Sequence, residues 1–279
     1  MNQQAVVFRC EGDSLVGILN IPRDPYPRGV LIVVGGPQYR AGSHRQFTLL
    51  ARQLEEAGIA SLRFDYRGMG DSTGEPRTFE SVSEDLKCAI EVLVSRVPAV
   101  KEVVIWGLCD AASAALLYAR QDRRVTGLVL VNPWVRTEQG AARVYLRHYY
   151  GGRLFQAQFW HKVLSGQFRF KEAATSLLRF ATRAVRKDGA PAMMPLPDRM
   201  ENALSKFDGR ALLVLSGNDL TADEFRDLVK RSERWRRLLE RPRLRQQELR
   251  DANHTFSRRA WREQVTGWTV SFVKQESIS

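Results

Sequence analysis

Residues 103–120, VVIWGLCDAASAALLYAR, constrain the fold more than any other stretch of the chain. The β-branched run at the start reads as a strand, and the small-residue segment after it reads as a helix. Between them stands Gly107-x-Cys109-x-Ala111, a cysteine with a tiny residue two positions to either side. A strand can turn this sharply into a helix only if the central residue takes strained backbone geometry and its neighbours carry almost no side chain. The turn therefore offers Cys109 as a nucleophile. The same residues also fit an inert core cysteine, since free Cys is among the most buried residue types.

The rest of the chain supplies a frame for that turn. AVVFRCEGDSLVGILNIP alternates apolar and polar residues around Gly12 and Asp13, which predicts an opening β-hairpin. GVLIVVGGPQ is a continuous apolar run ending in glycines, the pattern of a strand buried on both faces. Helical spacing follows in RQFTLLARQLEEAG, then a strand in IASLRFDYRG, then a helix with a capping serine in FESVSEDLKCAIEVLVSRV. After residues 103–120 comes the strand GLVLVNP. Later segments predict a strand (ALLVLSGND), one helix (DEFRDLVKRSERWRRLLE) and a last strand (LRQQELRDANH). Strands alternating with helices imply an α/β fold, a mainly parallel sheet flanked by helices on both sides. From 134 to 205 the pattern breaks into aromatic-rich helical spacing with no buried strand. The expected organisation is a core of 1–133 and 206–279 with a helical cap inserted at 134–205.

Composition narrows the setting. No apolar stretch of the 279 residues is long enough to span a bilayer, and the first residues lack the basic-then-apolar pattern of a signal peptide. Cys10, Cys88 and Cys109 are an odd number without metal spacing, which points away from disulfides and toward a reducing cytoplasm. No metal and no cofactor is expected. The net charge of +12 is uneven: Trp134 to Arg210 holds fourteen Lys and Arg against six Asp and Glu. Either the cap meets an acidic partner or its charge is simply solvated. No nucleic-acid motif accompanies it, so no nucleic-acid partner is expected.

A cysteine nucleophile needs a base and an orienting acid. The chain has four histidines, His44, His148, His161 and His254, and only His254 follows the final strand, in DANHTFS. Asp219 ends the strand before it, and Asp223 lies one helical turn further on. The expected triad is Cys109, Asp219 and His254, with Asp223 as the alternative acid and helix capping as the ordinary role of either aspartate. That chain order, nucleophile then acid then histidine, is the one found in α/β-hydrolases.

Two further stretches resemble that superfamily. FDYRGMGDSTG matches its D-x-R-G-x-G-x-S-x-G loop through Asp65, Arg67, Gly68, Gly70, Ser72 and Gly74, and VVGGPQ resembles its H-G-G-P-G oxyanion loop, with Val34 in place of the histidine. More narrowly, GGPQYRAGSHRQF, FDYRGMGDSTG, GLCDA and SGNDLTADEF are similar to the exosortase A system-associated hydrolase 1 family, encoded beside exopolysaccharide biosynthesis genes in Gram-negative bacteria.

The resemblance implies an α/β-hydrolase fold and an acyl-enzyme mechanism on an ester or thioester. Oxyanion donors would be the backbone N–H groups of Gly36 and Asp110, since Pro37 cannot donate. Asp110 departs from the usual pattern: a carboxylate beside Cys109 would raise the thiol pKa if it pointed inward. Dienelactone hydrolases use a Cys-His-Asp triad on the same fold, so a thiol is compatible with hydrolysis, while thiolate chemistry favours thioesters and acyl transfer. Gln38, Arg40, His44, Arg143 and Arg147 are the expected substrate-binding residues. The partner would be a small acyl substrate, anionic or glycan-linked, with peripheral membrane contact through the basic cap as a further expectation. The competing class is a non-catalytic binding module of the polysaccharide machinery that retains the pocket.

Overall fold

The computed structural model describes residues 2–36, 38–136 and 194–275. Its strands are β1 (Gln3–Cys10), β2 (Asp13–Asn20), β3 (Arg28–Val33), β4 (Ser61–Asp65), β5 (Glu102–Leu108), β6 (Val125–Val131), β7 (Arg210–Asn218) and β8 (Leu244–Asn253). The α-helices among the described residues are α1 (Gln46–Glu56), α2 (Ser83–Arg96), α3 (Asp110–Tyr118), α4 (Leu196–Ser205), α5 (Leu220–Arg231), α6 (Glu233–Leu239) and α7 (Arg259–Lys274).

All eight strands join one sheet in the order β1-β2-β4-β3-β5-β6-β7-β8. The opening hairpin pairs antiparallel and β2 adds antiparallel to β4. The pairs from β4 through β8 are parallel. The chain steps from β3 out to β4, then back across to β5. Strand order therefore reverses between β3 and β5, the place where open parallel sheets bind ligands at their carboxyl ends.

The continuous apolar runs follow from burial on both faces. In β3, Leu31 and Val33 join a core with Leu86 of α2 and Leu116 of α3, while Val30 and Ile32 face Phe47 of α1 and Phe272 of α7. Each such side chain, fully buried, contributes about 1.5–3 kcal/mol of transfer free energy. β8, at the sheet edge, keeps the half-exposed alternation expected of a strand with one free side.

Three expectations shift. The chain divides into Met1–Arg136 with Leu196–Ser279, and Thr137–Pro195. Helix α4 thus belongs to the sheet unit rather than to an insertion ending at 205, because its apolar stripe of Met200, Ala203 and Leu204 is buried in the core. The helix expected over 223–240 is two helices, broken at Ser232, whose side chain accepts the Trp235 N–H and starts α6. Helix α2 begins after Val82 without a side-chain cap. Its Asp85 instead forms a buried ion pair with Arg67 at 2.9 Å. The expected residues Arg143 and Arg147 and the aromatic-rich stretch around them lie outside the described residues.

Candidate active site

The turn at Cys109 explains its own sequence. Cys109 has φ 63° and ψ −124°, a conformation that costs a non-glycine residue on the order of 1–3 kcal/mol. Cysteine at this point is held by the packing around it: its N–H donates to Val131 and its carbonyl accepts from Trp134. A side chain at Gly107 would put its Cβ 2.5 Å from the Ala111 backbone, so only glycine fits there. Ala111 is itself buried, which excludes a larger residue. The sulfur is half-buried at the carboxyl end of β5, and Cys10 and Cys88 are also free thiols.

His254 follows β8 and Asp219 follows β7. His254 Nδ1 lies 2.9 Å from Asp219 Oδ2, and the Cys109 side chain is near enough to act electrostatically on the same ring. Burial opposes charging of this imidazole, but the carboxylate on one side and the sulfur on the other outweigh it and raise its pKa to about 10. The environment therefore favours an imidazolium between Asp219 and Cys109. Asp219 also caps α5, accepting the N–H groups of Thr221 and Ala222 at 3.2 Å each. The capping role and the histidine contact, alternatives in the sequence, coexist in one carboxylate. Asp223 is turned to Arg226, 2.9 Å away.

One of the two expected oxyanion donors, the Gly36 N–H, faces a carboxylate. Asp110 Oδ2 accepts the Gly36 N–H at 2.9 Å, and Oδ1 accepts the Ala111 N–H at 2.9 Å. Burial pushes the Asp110 carboxyl above its ordinary range, against these backbone donors and the nearby His254.

The expected substrate residues divide. Gln38 Oε1 accepts the Ser43 N–H at 3.1 Å, and His44 is exposed in the short 3-10 turn Ser43–Arg45. Arg40 is bound to Asp65 and Asp71 within the protein. Arg143 and Arg147 lie outside the described residues. The Asp65–Gly74 loop is architectural: buried Asp65 also accepts the N–H of Arg40 at 2.6 Å and of Asp71 at 3.2 Å, and a Cβ on Gly70 would meet its carboxylate at 2.2 Å.

Asn132 was not legible as a site residue. Fully buried just past β6 with φ 44°, it donates to Ser216 Oγ at 2.8 Å and to the His254 carbonyl at 3.2 Å, and accepts the Ser216 N–H at 2.9 Å. It ties the ends of β6 and β7 to the histidine loop. The only sequence signal was an asparagine directly after a buried strand, VNP.

A cavity of about 680 Å³ lies at the opposite, amino end of the sheet, lined by Arg28, Glu102, Thr126, Lys206, Arg210 and Phe272, and holds none of these groups. Among the described residues no cluster of His, Cys, Asp or Glu is placed to hold a metal, and no helix is long and apolar enough to cross a membrane.

Residues 25–224 match the family model Hydrolase_4, described as serine aminopeptidase, S33. The chain belongs to this family. It is an α/β-hydrolase by fold: the Pyrococcus furiosus esterase Pf2001 superposes with a TM-score of 0.66 at 16% identity, covering 100% of this chain and 94% of that one. The Penicillium α/β hydrolase GrgF superposes with a TM-score of 0.64 at 18% identity, covering 99% of both chains. In sequence, the Penicillium polyketide transferase grgF is 34% identical over 91 residues, covering 31% of this chain and 31% of the relative. The thiohydrolase apmlB of Arthrinium phaeospermum is 38% identical over 89 residues, covering 30% of this chain and 29% of the relative. The chain thus spans about a third of the length of these curated relatives.

Proposed function

We propose that this hydrolase-family chain is a cysteine-dependent acyl-processing enzyme acting on an ester or thioester, with Cys109 as nucleophile, His254 as base and Asp219 as its orienting acid. The observation that carries the reading is one imidazole hydrogen-bonded to Asp219 and acted on electrostatically by the strained elbow cysteine. Cys109 Sγ attacks the carbonyl carbon, the carbonyl π pair moves to oxygen, and the oxyanion lies toward the N–H groups of Gly36 and Asp110. Collapse breaks the bond to the leaving group, which takes its proton from His254. Water or an acceptor hydroxyl then gives a proton to His254, attacks the acyl–sulfur bond and releases the Cys109 thiolate. Water makes the enzyme a hydrolase and an acceptor makes it an acyltransferase; the sequence likeness to a polyketide transferase and to a thiohydrolase supports keeping both branches on one triad.

The motifs GGPQYRAGSHRQF and GLCDA support a role in the cytoplasm beside exopolysaccharide synthesis, with an anionic or glycan-linked acyl substrate and the basic segment after Trp134 available to an acidic partner or membrane surface.

Intact-mass analysis after exposure to p-nitrophenyl acetate tests the nucleophile. One acetyl group on Cys109, absent in Cys109→Ala and retained in Cys10→Ala and Cys88→Ala, is the expected result. Burial pushes the Cys10 thiol pKa up, so it stays protonated and unreactive. Acetylation shared evenly among the three cysteines, or none at all, overturns the reading and favours a binding module.

A further inference from the structure

Asp110 is the first residue of α3, and an aspartate there has an ordinary task, to balance the partial positive charge of the helix start. Its Oδ1 does so by accepting the Ala111 N–H. Its Oδ2 does something else. It leaves the helix and takes the N–H of Gly36, from the loop after β3, at 2.9 Å. The neighbouring residue leaves room for this: a Cβ on Gly35 would come within 2.1 Å of Asp110 Oδ1. Gly36 has φ 57°, the left-handed conformation glycine adopts without strain. Two consecutive glycines thus form a cradle, and a carboxylate oxygen occupies the Gly36 N–H, one of the donors a developing oxyanion would need.

Building on the proposed acyl chemistry at Cys109, we infer that Asp110 is a positioning residue whose carboxylate holds the Gly36 oxyanion donor in the absence of substrate, and that an acyl carbonyl must displace it before the tetrahedral intermediate forms. The carboxylate keeps the Gly36 N–H aimed and paired, and sets a threshold for acylation. The charged or titratable groups around it are Cys109 beside it, His254 from the loop after β8 and buried Tyr66 from the end of β4.

Two reagents separate this role from simple electrostatics. p-Nitrophenyl acetate acylates Cys109 through an oxyanion and expels p-nitrophenolate. Iodoacetamide alkylates the same sulfur by forming an S–C bond as the C–I bond breaks, with iodide leaving and no oxyanion. In Asp110→Asn either the Gly36 or the Ala111 N–H would face an amide NH2, so the side chain no longer bridges both while size and polarity are kept. The ratio of acylation to alkylation rate constants should rise about tenfold in Asp110→Asn, a fraction of what an oxyanion donor is typically worth. Asp110→Ser, too short to bridge to Gly36, should raise it similarly and serves if the asparagine variant fails to fold. An equal rise with both reagents overturns the inference by showing that only local charge changed. A fall in the ratio overturns it by showing that the carboxylate merely supports the loop. Loss of the underlying chemistry looks different: wild-type Cys109 would then take up no acetyl group at all, and both proposals fail together.

Discussion

His254 and Asp219 meet at 2.9 Å through a carboxylate that is also the N-cap of helix α5, so one side chain orients the imidazole and starts a helix. The two roles come apart under mutation. Asp219→Asn keeps a good cap but loses the charge that steadies the imidazolium. Turnover of an activated ester should fall about 10³–10⁴-fold while the helix keeps its cap. Asp219→Ala should lose the same activity and a further ~1 kcal/mol of stability, read from urea unfolding.

Asn132 offers a second separation. Asn132→Ala leaves buried groups of Ser216 and the His254 carbonyl without their partner, which should cost about 1–3 kcal/mol. Because the histidine loop is then less firmly placed, kcat should fall more than KM rises. Asn132→Gly, which relieves the positive φ while removing the same side chain, should show the same kinetic defect. Full activity in the glycine variant would show that the side chain does not support the loop.

The elbow predicts a steric effect at one position. In Gly107→Ala the new methyl would lie 2.5 Å from the backbone of Ala111, so the turn itself must shift. Denaturant unfolding should show a loss of at least about 1–3 kcal/mol, and Cys109 labelling by acyl reagents should slow with it. An unchanged midpoint would mean that the turn has slack the geometry does not show.

The imidazole carries a pH dependence whose sign follows from its raised pKa. A group that binds its proton more tightly in the folded state stabilises that state fully below its unfolded value, near 6.5, and loses that contribution as pH rises through about 10. The stability difference between wild type and His254→Gln should therefore be largest near pH 6 and shrink steadily from pH 7 to 10. A difference that stays flat over that range, followed by thermal melts, would show that the histidine is not held as a cation.

Much of this was legible in the order of residues. Gly107, Cys109 and Ala111 specify a strand-to-helix turn because local sterics allow little else, and the apolar runs specify a parallel sheet because strands buried on both faces need apolar residues throughout. The chain order of Cys109, Asp219 and His254, each just past a strand, followed from the same patterning. Only the tertiary structure decided what each polar group faces. Asp219 rather than Asp223 meets His254 because the strand end, and not the first turn of α5, lies beside the β8 loop, while Asp223 is drawn to Arg226. Arg40 lies against Asp65 and Asp71, Asn132 reaches across two strand ends, and Asp110 turns back onto Gly36, 74 residues away. Hydrophobic periodicity is a property of neighbouring residues and can be read along the chain. The partner of a hydrogen bond is set by directions and distances between segments remote in sequence, and those exist only once the sheet is assembled.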